Sequence, residues 1–148
     1  MIGRHVETLF CDDIRQEVAG KMSFIGVYSG SLFVHQFPAV LPKLCLAVKV
    51  LAPAGDPITE MKLQVLKDEE VLQEIALDEQ QLTAASESTD EDADSSSQLR
   101  VQMAQFMLAF SPIQFEAPCT LKVRVQADGE ELRGVGLKVD RMPESLPG

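Results

Sequence analysis

Five charged residues near the amino end, Asp12, Asp13, Arg15, Glu17 and Lys21, form the densest set of groups here able to move protons or hold ions. Paired carboxylates do general acid–base work when burial or mutual repulsion pushes their pKa values apart. If "DDIRQE" is extended, Asp13, Arg15 and Glu17 share one face, and Asp12, Ile14, Gln16 and Val18 the other. A minus–plus–minus row of that kind neutralises itself. Arg15 then keeps both of its neighbours ionised, which works against proton transfer. The five residues therefore read as an interaction surface. A hydrolase built on Asp12, Asp13 and Glu17 is the remote alternative.

The other chemical motifs are incomplete. Asp90, Asp92 and Asp94 of "DEDAD" are spaced like the first ligands of a calcium loop. Position six of that loop is Ser95 where Gly is needed, and position twelve is Val101 where a bidentate Glu belongs. The only histidines, His5 and His35, have no cysteine or carboxylate at zinc-ligand spacing. Neither a serine elbow nor a phosphate-binding glycine loop occurs. The sequence thus assigns no catalytic residue, no cofactor and no metal.

The bulk composition fits one domain. A chain of 148 residues, 45% of them hydrophobic, can bury roughly two-thirds of its unfolded surface. It has no Trp, so Leu, Val, Ile, Met and Phe must build the core. The net charge of −10 is local: eleven acidic residues and no Lys or Arg lie between Asp68 and Asp94. Outside that window 12 acidic residues face 13 basic ones, and the basic ones are not clustered. Nucleic acid is therefore not an expected partner.

Three widely spaced cysteines (Cys11, Cys45, Cys119) read as free thiols of a reducing compartment, a disulfide between two of them being the weaker reading. The amino end lacks an apolar signal-peptide core. The 21 uncharged residues from Met22 to Pro42 hold three Ser, two Gly and two Pro, too broken for a membrane helix. A cytoplasmic protein is expected, or one built into a particle assembled in the cytosol.

The elements that must position these groups read as short β-branched runs between turn signals. His5–Cys11, Lys21–Tyr28, Leu32–Val34, Leu44–Leu51, Ile58–Leu66 and Val71–Leu77 are the first strands. In Ile58–Leu66 the alternation puts Met61, Leu63 and Val65 on one face and Leu66 with Lys62 and Gln64 on the other. Ala84–Gln98 is polar, acidic and Ser-rich, and reads as a flexible loop. Leu99–Phe110 fits a helical stripe as well as a strand, and strand is favoured. "TLKVRVQADGEELRGVGLKV" is a hairpin about Asp128-Gly129, with Gly134 and Gly136 permitting a bulge or close packing. The tail is frayed from about residue 141. Seven or eight antiparallel strands at this spacing predict an all-β chain, one β-sandwich over residues 1–148.

The stretch "DDIRQEVAGKMSFIGVYSG" with "FPAVLPKLCLAVKV" resembles an uncharacterised family of small bacterial and phage-associated proteins. The matching residues are Asp12, Arg15, Glu17, Gly20, Lys21, Ile25, Gly26, Val27 and Tyr28, then Leu41, Pro42, Lys43 and Leu44. "VQADGEELRGVGLKV" is similar to that family's closing hairpin. The resemblance implies an immunoglobulin-like sandwich and no activity, cofactor or catalytic residue. Together the two lines of reading point to a non-enzymatic module that binds a protein partner or a second copy of itself. A decoration or adaptor part of a phage particle is the alternative.

Overall fold

The computed structural model describes residues 3–88 and 101–143. From the amino end, β1 (His5–Gln16) passes through a 3-10 turn at Val18–Gly20 into β2 (Met22–Val27), then β3 (Ser31–Val34) and β4 (Ala39–Leu41). The middle comprises β5 (Leu44–Pro53), β6 (Met61–Lys67), β7 (Glu70–Leu77), helix α1 (Glu79–Ala85) and β8 (Ser86–Ser88). β9 (Val101–Phe110), β10 (Ile113–Phe115), β11 (Cys119–Ala127), β12 (Glu130–Arg133) and β13 (Leu137–Arg141) complete the chain.

Two sheets face each other. One has the order β2-β1-β5-β9-β8, the other β3-β13-β11-β6-β7 with β12 also on β11, and β4 pairs with β10 separately. The run β1-β5-β9-β8 against β13-β11-β6-β7 has the strand order of an immunoglobulin sandwich. The expected all-β sandwich is present. Among the described residues it has thirteen strands, because the shortest ones pair over only three or four residues, and β3 joins β13 in parallel.

β5 lies in the middle of its sheet and is nearly all apolar, as a strand covered on both faces must be. Leu44, Leu46, Val48, Val50 and Ala52 point inward to meet Leu63, Val65, Leu121, Val123, Val125 and Phe115. No polar or charged residue is buried among the described residues. Val101–Phe110 is a strand throughout: Ala104 is buried and Phe106, Leu108 and Phe110 pack on the core. Ten consecutive pairs with β5 outweigh its helix-favouring residues.

Four details depart from the sequence reading. β6 begins at Met61, and buried Ile58 precedes it, its N–H and C=O both held by the Gln102 amide at 2.7 and 3.2 Å. The ladder shift between Val65 and Leu66 leaves Leu72 of β7 as an extra residue that packs on the core, while Leu66, opposite Lys122 in the unbroken β6–β11 register, stays on the outer face with Lys62 and Gln64 and is buried there. Ala84 and Ala85 close α1 and Ser86–Ser88 pair with β9, so order extends into the segment read as a loop. Asp78 and Gln81 cap that helix reciprocally (2.9 and 2.8 Å) and Leu82 anchors it in the core. β13 runs to Arg141; residues 89–98 of the expected loop, the calcium-like aspartates and residues 144–148 of the tail lie outside the described residues.

Asp128 (φ 49°) and Gly129 (φ 86°) make the expected two-residue turn. Its return strand is split. β12 pairs Arg133 with Arg124, β13 pairs Leu137 with Leu121, and one extra residue is taken up at Gly134–Gly136. There the backbone closes on its neighbours: Thr8 Oγ1 donates to the Val135 carbonyl, and Gly134 N–H to the Val123 carbonyl at 2.9 Å. A Cβ at Gly136 would stand 2.5 Å from the Leu121 carbonyl oxygen, whereas one at Gly134 would strike the Thr8 methyl. Gly136→Ala is therefore expected to cost about 1–3 kcal/mol in urea unfolding, with no side chain to trim in compensation. Gly134→Ala should be partly rescued by Thr8→Ser, which removes the methyl and keeps the hydroxyl. An unchanged midpoint for Gly136→Ala would contradict this packing.

Candidate functional site

β1 is longer than its partner allows. Its pairing with β5 ends at Cys11–Cys45, and from Asp13 to Gln16 it pairs with β2 alone. The β1–β2 hairpin thus runs past the sandwich, and every residue from Arg15 to Lys21 is exposed. Glu17 N–H closes the tip on the Lys21 carbonyl at 2.7 Å. Ala19 and Gly20 adopt positive φ there (62° and 73°).

All five charged residues named from sequence lie on this hairpin, but they are not one cluster. Asp12 accepts a hydrogen bond from the Tyr28 hydroxyl and lies against Gly26, whose φ of 70° and missing Cβ make room for it. Burial, then this bond, pushes the Tyr28 phenol well above its ordinary range. Asp13 Oδ1 accepts from Lys43 Nζ at 2.7 Å and from Ile14 N–H at 3.0 Å. Lys43 is the main reason that the Asp13 carboxyl is held below its ordinary value, and Arg15 is a minor one. The expected Asp13–Arg15–Glu17 ladder is thus replaced by a bond to a residue 30 positions away. Arg15 makes no ion pair among the described residues. Glu17 and Lys21 stand exposed at the tip.

The residues that sequence reasoning left out, Tyr28, Gly26 and Lys43, are the ones that organise the root of the hairpin. All three stand in the stretch that carries the family resemblance.

At the opposite end of the sandwich, Asp128 accepts from Thr59 Oγ1 (2.7 Å), Glu60 N–H (2.9 Å), Thr59 N–H (3.1 Å) and Arg4 (3.1 Å). The Thr59 hydroxyl leads in holding its carboxyl below the ordinary value. Beside it opens a cleft of about 500 Å³, lined by Glu60, Lys62, Asp78, Gln81 and Gln126 among others. Asp78, Gln81 and Asp128 are already engaged in the cap and the turn. Part of the polar lining of the cleft is thus structural.

Residues 8–140 match the model of a family of unknown function, DUF6941, and the chain belongs to that family. No curated protein matches the sequence. The matched span holds all of the β1–β2 pairing from Cys11 to Val27, Lys43 and the closing hairpin about Asp128.

Two titrations follow from these bonds. A lowered carboxyl stabilises the fold above its ordinary value of 3.8, and that contribution is lost as pH falls through the lowered value. A raised amine stabilises below its ordinary 10.5 and loses its contribution as pH rises through the raised value, so the Asp13–Lys43 bond is complete between the two. Lys43→Met should move the Asp13 carboxyl midpoint up toward 3.8 in carbon-detected NMR titration; no movement would deny the bond. Asp128→Asn, which suits the same turn, should cost about 1–3 kcal/mol at neutral pH. It should also remove part of the stability that the parent loses below about pH 5. An identical acid profile for variant and parent would refute the role of the charge.

Proposed function

We propose that this chain is a non-enzymatic binding module that takes up an extended segment of another protein chain along the open edge of β2. The observation that carries the reading is the character of that edge. β2 reads Met-Ser-Phe-Ile-Gly-Val, six residues without a charge, and pairs on one side only among the described residues. Ile25 and Val27 are 43% and 51% exposed on it.

The other edges carry the protections that deter strand addition. β7 has Glu70 and Glu74, β3 is four residues long, β8 is three, and β12 carries Glu130, Glu131 and Arg133. An exposed edge supplies unpaired N–H and C=O groups for a new ladder, and alternating pockets choose the side chains. Gly26, with its positive φ, bends β2 and limits the length of any added strand to a few residues.

The test is affinity capture from the native host with the parent chain and with Ile25→Lys, an edge charge that leaves the core untouched. A protein recovered by the parent, a second copy included, and lost with the variant at an unchanged melting temperature supports the proposal. Identical recovery by both overturns it.

A further inference from the structure

Cys11 and Cys45 stand directly opposite each other in the β1–β5 ladder. Opposite residues of neighbouring strands share a face, with Cα atoms about 4.5–5.5 Å apart, inside the roughly 4.4–6.8 Å that a disulfide requires. Their Cβ atoms, about 4.5–5.5 Å apart, must draw in by up to about 1 Å. Neither side chain belongs to the core between the sheets, where Phe10, Leu44 and Leu46 point. They lie on the outer face, yet Cys11 is 0% and Cys45 3% exposed. Val27 flanks Cys11 on one side of this row and Ala109 flanks Cys45 on the other. The Cys11 thiol donates to the Asp13 carbonyl at 3.4 Å. Cys119 is on β11 of the other sheet.

We propose that Cys11 and Cys45 are a redox pair which a hydroperoxide closes into an intramolecular disulfide, riveting β1 to β5 at the root of the β1–β2 hairpin. The sulfur of one residue attacks the O–O bond of hydrogen peroxide, giving a sulfenic acid and one water. The sulfur of the other then attacks the sulfenic sulfur; the S–S bond forms and a second water leaves. The two thiols lose two electrons and two protons, and the peroxide takes up both. Burial sets the character of the pair: it favours the protonated form of the Cys11 thiol, so closure is slow, and it admits a small oxidant in preference to a protein one. The position decides the consequence. Cys11 is the last residue of β1 paired with β5, so a bond there limits how far the hairpin opens away from the sheet.

The experiment treats the native full-length chain with hydrogen peroxide, blocks the remaining thiols, and digests after Lys and Arg. A linked pair of peptides, His5–Arg15 with Leu44–Lys49, is expected, lost on adding dithiothreitol, with Cys119 recovered blocked as a free thiol. In Cys45→Ser, Cys11 should instead accumulate as the sulfenic acid trapped by dimedone. A link through Cys119, a link between two chains, or both cysteines recovered free or over-oxidised without a link would overturn the proposal.

Discussion

The register between β1 and β5 is the constraint on which the rest of this molecule depends. It runs unbroken from His5–Leu51 to Cys11–Cys45. It turns Val6 and Phe10 into the core and sets Thr8 beneath the Val135 carbonyl. Carried on in the same step beyond the last pair, it brings Asp13 to Lys43, and that is where their bond forms. A slip of one residue would send Val6 and Phe10 to the outer face and part all of these neighbours at once.

Two glycine devices let the chain keep that register while its surroundings change course. At Gly134–Gly136 the return strand takes up one residue, so that β12 and β13 can both pair with β11 while the bulge docks on β1. At Gly26 the hairpin yields to the Asp12 side chain, which the Tyr28 hydroxyl then fixes. In both places the main chain is approached too closely for a side chain to fit. The first joins the two sheets through β1, and the second ties the projecting hairpin to its root.

What was legible in the sequence was whatever local pattern decides. Alternation showed β11, Asp128-Gly129 showed the turn, and the apolar run Leu44–Leu51 showed β5 as a strand. Long-range pairing was not legible. The bond from Lys43 to Asp13 joins residues far apart in the chain, so the local Asp13–Arg15–Glu17 spacing suggested the wrong partner. The extra residue Leu72 in β7 was not legible because a bulge is a property of two strands together. Helix α1 escaped because one buried leucine and one reciprocal cap suffice for seven residues, a signal weaker than the polar composition around it. The five hairpin residues were found as a group, while their separate roles were decided by Tyr28, Gly26 and Lys43.

Those roles bear on what kind of protein this is. A carboxylate that acts as a general acid near neutral pH needs its pKa raised, by burial or by a second carboxylate. The two carboxyls held most firmly here, Asp13 and Asp128, are shifted the other way, one by an ammonium and the other by a hydroxyl and two main-chain N–H groups. Both stay ionised and act as acceptors that join one segment to another. Asp12 is likewise an acceptor for the phenol that fixes the hairpin root. Asp12 and Asp13, the carboxylates of that sequence set which make such bonds, thus serve to position strands. What they position is a projecting hairpin whose outer strand pairs on one side only among the described residues and carries no charge to deter a partner.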